Sequence, residues 1–203
     1  MKKWQVWGWL GLVAAAATLP GCAAFRGEKL AKVDATQLEV AHGANKLKVF
    51  ARWTSDALVD PVPDKALQTG AELSKKSFED AISASNCCTI VDHEAQADVL
   101  VDGIRYIKRD NLTAAPILLT GLTLYLIPSW ETTPFKVSVR VQKGMDLRVY
   151  ELEDSVTTIQ WLPFLLAMPF ANPLTVSSEV EGNVYQTLVL KMKADGLLSP
   201  TTK

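Results

Sequence analysis

Phe135-Lys136-Val137-Ser138-Val139-Arg140-Val141-Gln142-Lys143-Gly144-Met145-Asp146-Leu147 is the stretch that decides the fold. Apolar residues hold the odd positions from Phe135 to Val141 and polar ones hold the even positions, the period of a strand with one buried face. Lys143-Gly144 allows a tight turn into a second strand, Leu147 to Leu152. A hairpin with one wet face needs a cover for its dry one.

Working outward, two helices supply candidates for that cover. Pro61-Val62-Pro63 punctuates the chain and Asp64 is placed to cap a helix from about Lys65 to Ser85. Leu67, Ala71, Phe78 and Ile82 recur there near helical spacing, while Lys75, Lys76, Glu79 and Asp80 fall elsewhere. The second helix is expected from Glu179 to about Ala194. Ser178 and Glu181 match a capping box, Val180, Val184, Leu188 and Met192 form a stripe, and Asp195-Gly196 closes it. Lys191 and Lys193 suit its negative end.

Further strands are expected at Leu47 to Trp53, Cys88 to Val91 and Asp98 to Ile107. Strands flanked by helices predict a two-layer α+β domain, its mainly antiparallel sheet packed by two helices, over residues 45–203. Residues 22–44 lack clear periodicity and read as a tether with some local order.

Two uncharged stretches flank the hairpin, one between Asn111 and Glu131 and the other between Asp154 and Glu179. Prolines argue against membrane-spanning helices. The window between Pro116 and Pro128 would reach only about 18 Å at ~1.5 Å per residue. Pro163, Pro169 and Pro173 interrupt the other stretch repeatedly. Either the segments fold over the sheet as core, or they form an exposed apolar rim. Leu124, Tyr125, Leu126, Trp130, Trp161, Phe164 and Phe170 are the residues placed to contact a membrane or partner, since several are of the kinds that sit where hydrocarbon meets water.

Catalytic materials are scarce. His42 and His93 are the histidines, and no serine or cysteine stands in a recognisable nucleophile setting. Asp92-His93-Glu94 reads as a solvated turn, and Asp98 with Asp102 is a weak acid/base signal. Adjacent Cys87 and Cys88 read as buried thiols at a strand start, because a bond between neighbours closes an eight-membered ring far from ordinary disulfide geometry. No metal, cofactor or enzymatic activity is expected.

The N-terminus carries its own pattern. Lys2 and Lys3 precede the uncharged run Trp4 to Pro20, which is at the lower limit for crossing ~30 Å of hydrocarbon. Leu19-Pro20-Gly21-Cys22 resembles the lipobox of bacterial lipoproteins. That resemblance implies a signal peptide over residues 1–21, cleavage before Cys22, and a diacylglyceryl group on its thiol with a further acyl chain on the new amino terminus. More than one chain is needed for lasting attachment. Ala23 and Ala24 stand where an aspartate would favour the inner membrane, so the resemblance favours the periplasmic face of the outer membrane. Around the hairpin, Leu122 to Trp130 and Thr157 to Phe170 also resemble segments of uncharacterised envelope lipoproteins, and no activity comes with that likeness.

Without Lys2 and Lys3 the chain has 19 basic and 22 acidic residues, a net charge of −3 that gives no footprint for nucleic acid. The expected function is therefore non-enzymatic, a membrane-anchored envelope protein with a structural, assembly or interaction role, held to the bilayer through acylated Cys22 and able to take an envelope protein partner. A carrier of lipid or another hydrophobic ligand, roofed by the two apolar segments, is the alternative.

Overall fold

A computed structural model describes residues 22–39, 46–58, 61–108, 114–166 and 171–199. The leader expected at residues 1–21, His42 and Phe170 lie outside these. The described residues form two compact units, one of residues 22–26, 114–133, 156–166 and 171–177, the other of 27–39, 46–58, 61–108, 134–155 and 178–199. In chain order the strands are β1 (Cys22–Arg26), β2 (Leu47–Ala57), β3 (Cys88–Ile90), β4 (Val99–Ile107), β5 (Ser129–Lys143) and β6 (Asp146–Gln160). The helices are α1 (Ala35–Leu38), α2 (Asp64–Ala84), α3 (Ala114–Leu122) and α4 (Pro173–Ala194). The six strands lie in the order β1-β6-β5-β4-β2-β3.

The expected two-layer α+β architecture is present, with a mixed sheet. β4 pairs antiparallel with β5, but β2 runs parallel to both of its neighbours. The parallel part follows from connection length: α2 carries the chain back from the end of β2 to the start of β3, and such a crossover leaves strands pointing the same way. The hairpin is longer than its alternating stretch, since β5 and β6 run 15 residues each. Gly144 takes a φ of +57° in the turn, a region in which side chains are strained.

In the second unit the alternation becomes a core. Val49, Ala51 and Trp53 from β2, Val99 and Val101 from β4, and Val137, Val139 and Val141 from β5 are all buried. Phe78 and Ile82 from α2, with Val184, Tyr185, Leu188 and Met192 from α4, pack into the same cluster. Trp53 is its pivot, its ring centroid 5.6 Å from Phe78 and 5.2 Å from Tyr185. Burial pushes the Tyr185 phenol up to about 12, so that it stays neutral in the core. Val-rich strands suit this half-buried pleated surface.

Helix boundaries differ in two places. Asp64 is the first residue of α2, not its cap, because Pro63 holds the N-cap position and its carbonyl accepts the Ala66 N–H at 2.8 Å. An acid in the first turn still faces the positive end of the helix. α4 begins at Pro173, six residues before the expected start. The Asn172 side chain accepts the Leu174 N–H at 2.9 Å, and a proline in first place loses no helical hydrogen bond. Ser178 and Glu181 are therefore interior, and Glu181 forms an ion pair with Arg105 instead of a capping box.

Residues 27–39, expected within a tether, are held to α4. Asn183 accepts the Val33 N–H at 2.9 Å and donates to the Ala31 carbonyl at 3.1 Å. Lys193 donates to the Gln37 carbonyl at 2.8 Å, and Leu38 is fully buried. Cys87 and Cys88 are joined in a disulfide and both are buried. Burial is as expected, but the expectation that one or both are free thiols is corrected: adjacent positions keep the two sulfurs within bonding reach, and they are joined.

Candidate functional site

The first unit gathers the apolar segments around the cysteine. Cys22 is the first residue of β1, and its partner in the antiparallel register is Gln160, the last residue of β6. The start of the stretch read as a tether with some local order is a strand, in which Ala23 and Ala24 are buried. The Ala24 N–H donates to the Ala171 carbonyl at 2.9 Å, which covers part of this edge. The Cys22 thiol is free and half-buried, and burial raises its pKa. Burial also gives Ala23 and Ala24 a structural reason to be alanine, since an aspartate there would have to be desolvated.

Trp161 follows Gln160 directly and opens a short 3-10 turn, Leu162–Leu166. Its ring stands edge-on to Phe164 at 5.8 Å, and Phe164 in turn meets Phe25 of β1 at 6.0 Å. The Leu162 N–H donates to the Tyr125 carbonyl at 2.9 Å. That bond joins the two uncharged segments.

α3 ends without glycine. Leu124 and Tyr125 take φ values of +50° and +62°, and their N–H groups return to Gly121 and Thr120 carbonyls at 3.1 and 2.8 Å. Left-handed residues commonly close a helix in this way, yet for side chains other than glycine the conformation costs about 1–2 kcal/mol each. The turn aims apolar side chains outward. Leu122 is 74% exposed, Leu126 67% and Trp130 70%. Leu118 and Leu124 are similarly open, Trp161 is exposed, and Tyr125 and Phe164 are half-buried.

Of the residues proposed for contact, Leu124, Leu126, Trp130 and Trp161 are thus on the surface. Tyr125 serves the backbone link, Phe164 belongs to a ring cluster, and Phe170 falls outside the described residues. Phe25, Leu118, Leu122 and Leu174 join the exposed set. For Phe25 the signal was faint, an aromatic after two alanines in what reads as linker. Leu118 and Leu122 lie inside the first uncharged segment, where a helical pattern without polar partners does not say which side faces out.

Charge is nearly absent here. Across residues 22–26, 111–133 and 156–177 the charged side chains are Arg26 and Glu131. A cavity of about 100 Å³ lies between Ile117, Ser129, Trp130, Glu131, Thr158 and Gln160. Small-molecule sites usually enclose about 300–1,000 Å³, several times this volume. No helix among the described residues is long and apolar enough to cross a membrane.

The second unit offers a different concavity, of about 340 Å³, on its helix-free sheet face. Arg52 contacts Asp102 at 2.7 Å across β2 and β4, Asp102 is in register with Arg140 on β5, and Thr54 and Ser138 line the space beside them. Asp98 accepts the Lys48 N–H at 2.8 Å, so the two aspartates serve different partners and not one acid/base pair. Among the described residues no group of three or more His, Cys, Asp or Glu side chains could hold a metal.

No family model matches the chain, and no curated protein matches it. In structure it is similar to a point variant of the PelC dodecamer from Paraburkholderia phytofirmans, with 9% identity over 82% of this chain and 97% of that one and a TM-score of 0.38. It is also similar to a DUF4136 family protein from Bacteroides thetaiotaomicron, with 11% identity, coverage of 84% and 97%, and a TM-score of 0.32. A DUF330 protein from Xanthomonas campestris has 7% identity, coverage of 73% and 82%, and a TM-score of 0.30. Likeness at this level carries no argument about function.

Proposed function

We propose that this protein is a lipid-anchored, non-enzymatic component of the bacterial cell envelope, acylated at Cys22 and docked on the bilayer through the apolar rim of its first unit. The observation that carries this reading is the pairing of Cys22 with Gln160, one residue before Trp161. Acyl chains on Cys22 leave the fold inside the rim itself, so the anchor and the exposed leucines and tryptophans serve one surface. Exposed apolar side chains that are costly in water gain from a bilayer already held beside them. The helix-free face of the second unit, with its paired charges, is left to meet an envelope protein partner. Outer-membrane residence, on the periplasmic side, is part of the proposal.

Two measurements test it. Labelled palmitate should enter the wild-type protein and be absent from Cys22→Ser; a wild-type protein that takes up none ends the anchor reading. The unacylated Cys22→Ser chain, freed of residues 1–21, should float with vesicles. Leu126→Glu with Trp130→Glu should cut that binding more than about tenfold, since each large apolar side chain returned to water forfeits about 1.5–3 kcal/mol. Both positions are exposed in the fold, so the melting temperature should hold. Flotation that ignores the double substitution would remove the rim from the account.

A further inference from the structure

We infer that the rim engages hydrocarbon without reading headgroup charge, so that its partner is a bilayer surface of any charge, recognised by access to acyl chains. This rests on the docking reading above and specifies its partner. Membrane-surface segments that select anionic lipid carry Lys and Arg beside their apolar face, and each such cation strengthens attachment to acidic headgroups. Arg26 and Glu131 are one charge of each sign, and they cancel.

Several hydroxyls of the rim are engaged with their own chain. Thr120 Oγ1 donates to the Pro116 carbonyl at 3.0 Å, and Thr123 Oγ1 donates to the Leu119 carbonyl at 3.0 Å. Thr132 and Thr157 hydroxyls bond each other at 2.9 Å across the hairpin. Hydroxyls engaged with their own chain are poor ligands for phosphate, whereas Leu122, Leu126 and Trp130 offer only apolar surface and an indole N–H to whatever lies beyond. In the second unit Arg52 is paired with Asp102 and Arg105 with Glu181.

The experiment uses the acylated protein, purified from membranes and reconstituted in vesicles whose acyl chains carry bromine, a quencher of tryptophan emission. Once residues 1–21 are removed the tryptophans are Trp53, Trp130 and Trp161, and Trp53 is buried in the core of the second unit. Quenching therefore reports contact of the rim with hydrocarbon. It should be equal, within about twofold, in phosphatidylcholine vesicles with and without phosphatidylglycerol, and equal at about 0.05 and 0.5 M salt, a range over which exposed charges become strongly screened. Quenching that needs phosphatidylglycerol and fades with salt would overturn the inference and leave docking intact. Vesicle-bound protein with no quenching in either composition would instead overturn the docking on which the inference stands.

Discussion

The two units spend similar residues in opposite ways. In the second, valines and aromatics alternate with charges along β2, β4 and β5, and they finish inside a core sealed by α2 and α4. In the first, leucines and tryptophans follow one another without charge between them, and many finish outside. The difference teaches that hydrophobicity alone does not decide burial. An apolar side chain is buried when its spacing gives it a face and the fold gives that face a partner; runs lacking the first condition are left to find another solvent.

Substitution can widen or erase this contrast. The largest effect is expected for Phe78→Ala, which empties a fully buried site beside Trp53 and should cost about 3–5 kcal/mol in urea unfolding. A loss below about 1 kcal/mol would mean that the second unit has no tight core. Next comes Gly103→Ala. Gly103 is paired in register with Trp53, and a Cβ placed there would stand 2.3 Å from a carbon of the indole. The ring is fixed between Phe78 and Tyr185, so overpacking should cost about 1–3 kcal/mol, read as a lower calorimetric midpoint. Smallest is Leu122→Glu in the first unit. Its side chain has few protein neighbours to lose, and stability should stay within about 0.5 kcal/mol. A drop comparable to that of Phe78→Ala would show that the leucine is covered and would collapse the comparison.

Legibility in the sequence divides along the same line. The hairpin and the interiors of α2 and α4 could be read because period two and period 3.6 separate wet from dry positions residue by residue. Pro173 concealed the true start of α4, as a proline that interrupts a helix elsewhere is welcome at its first position, and the Asn172 that caps it stands within the second uncharged stretch. β1 was hidden for another reason. Five residues from Cys22 to Arg26 are too few to establish alternation, and their strand character comes from pairing with β6, far away in sequence. The parallel pairing of β2 was recoverable in principle, since a helix lay between it and the next strand. Exposure of the rim was legible only as one of two options, because an uncharged run carries no mark of which side meets water. The Cys87–Cys88 bond closes a ring that ordinary disulfide geometry argues against, and residue types alone do not announce the backbone that admits it.

The register of Cys22 with Gln160 bears on the order of events during maturation. On the anchored reading the bond to be cut lies just before Cys22, and backbone already hydrogen-bonded to β6 is less open to an enzyme than unpaired chain. β1 starts at the very residue to be modified. On that reading pairing of β1 with β6 would follow processing, and the edge of the sheet would be the last part to close.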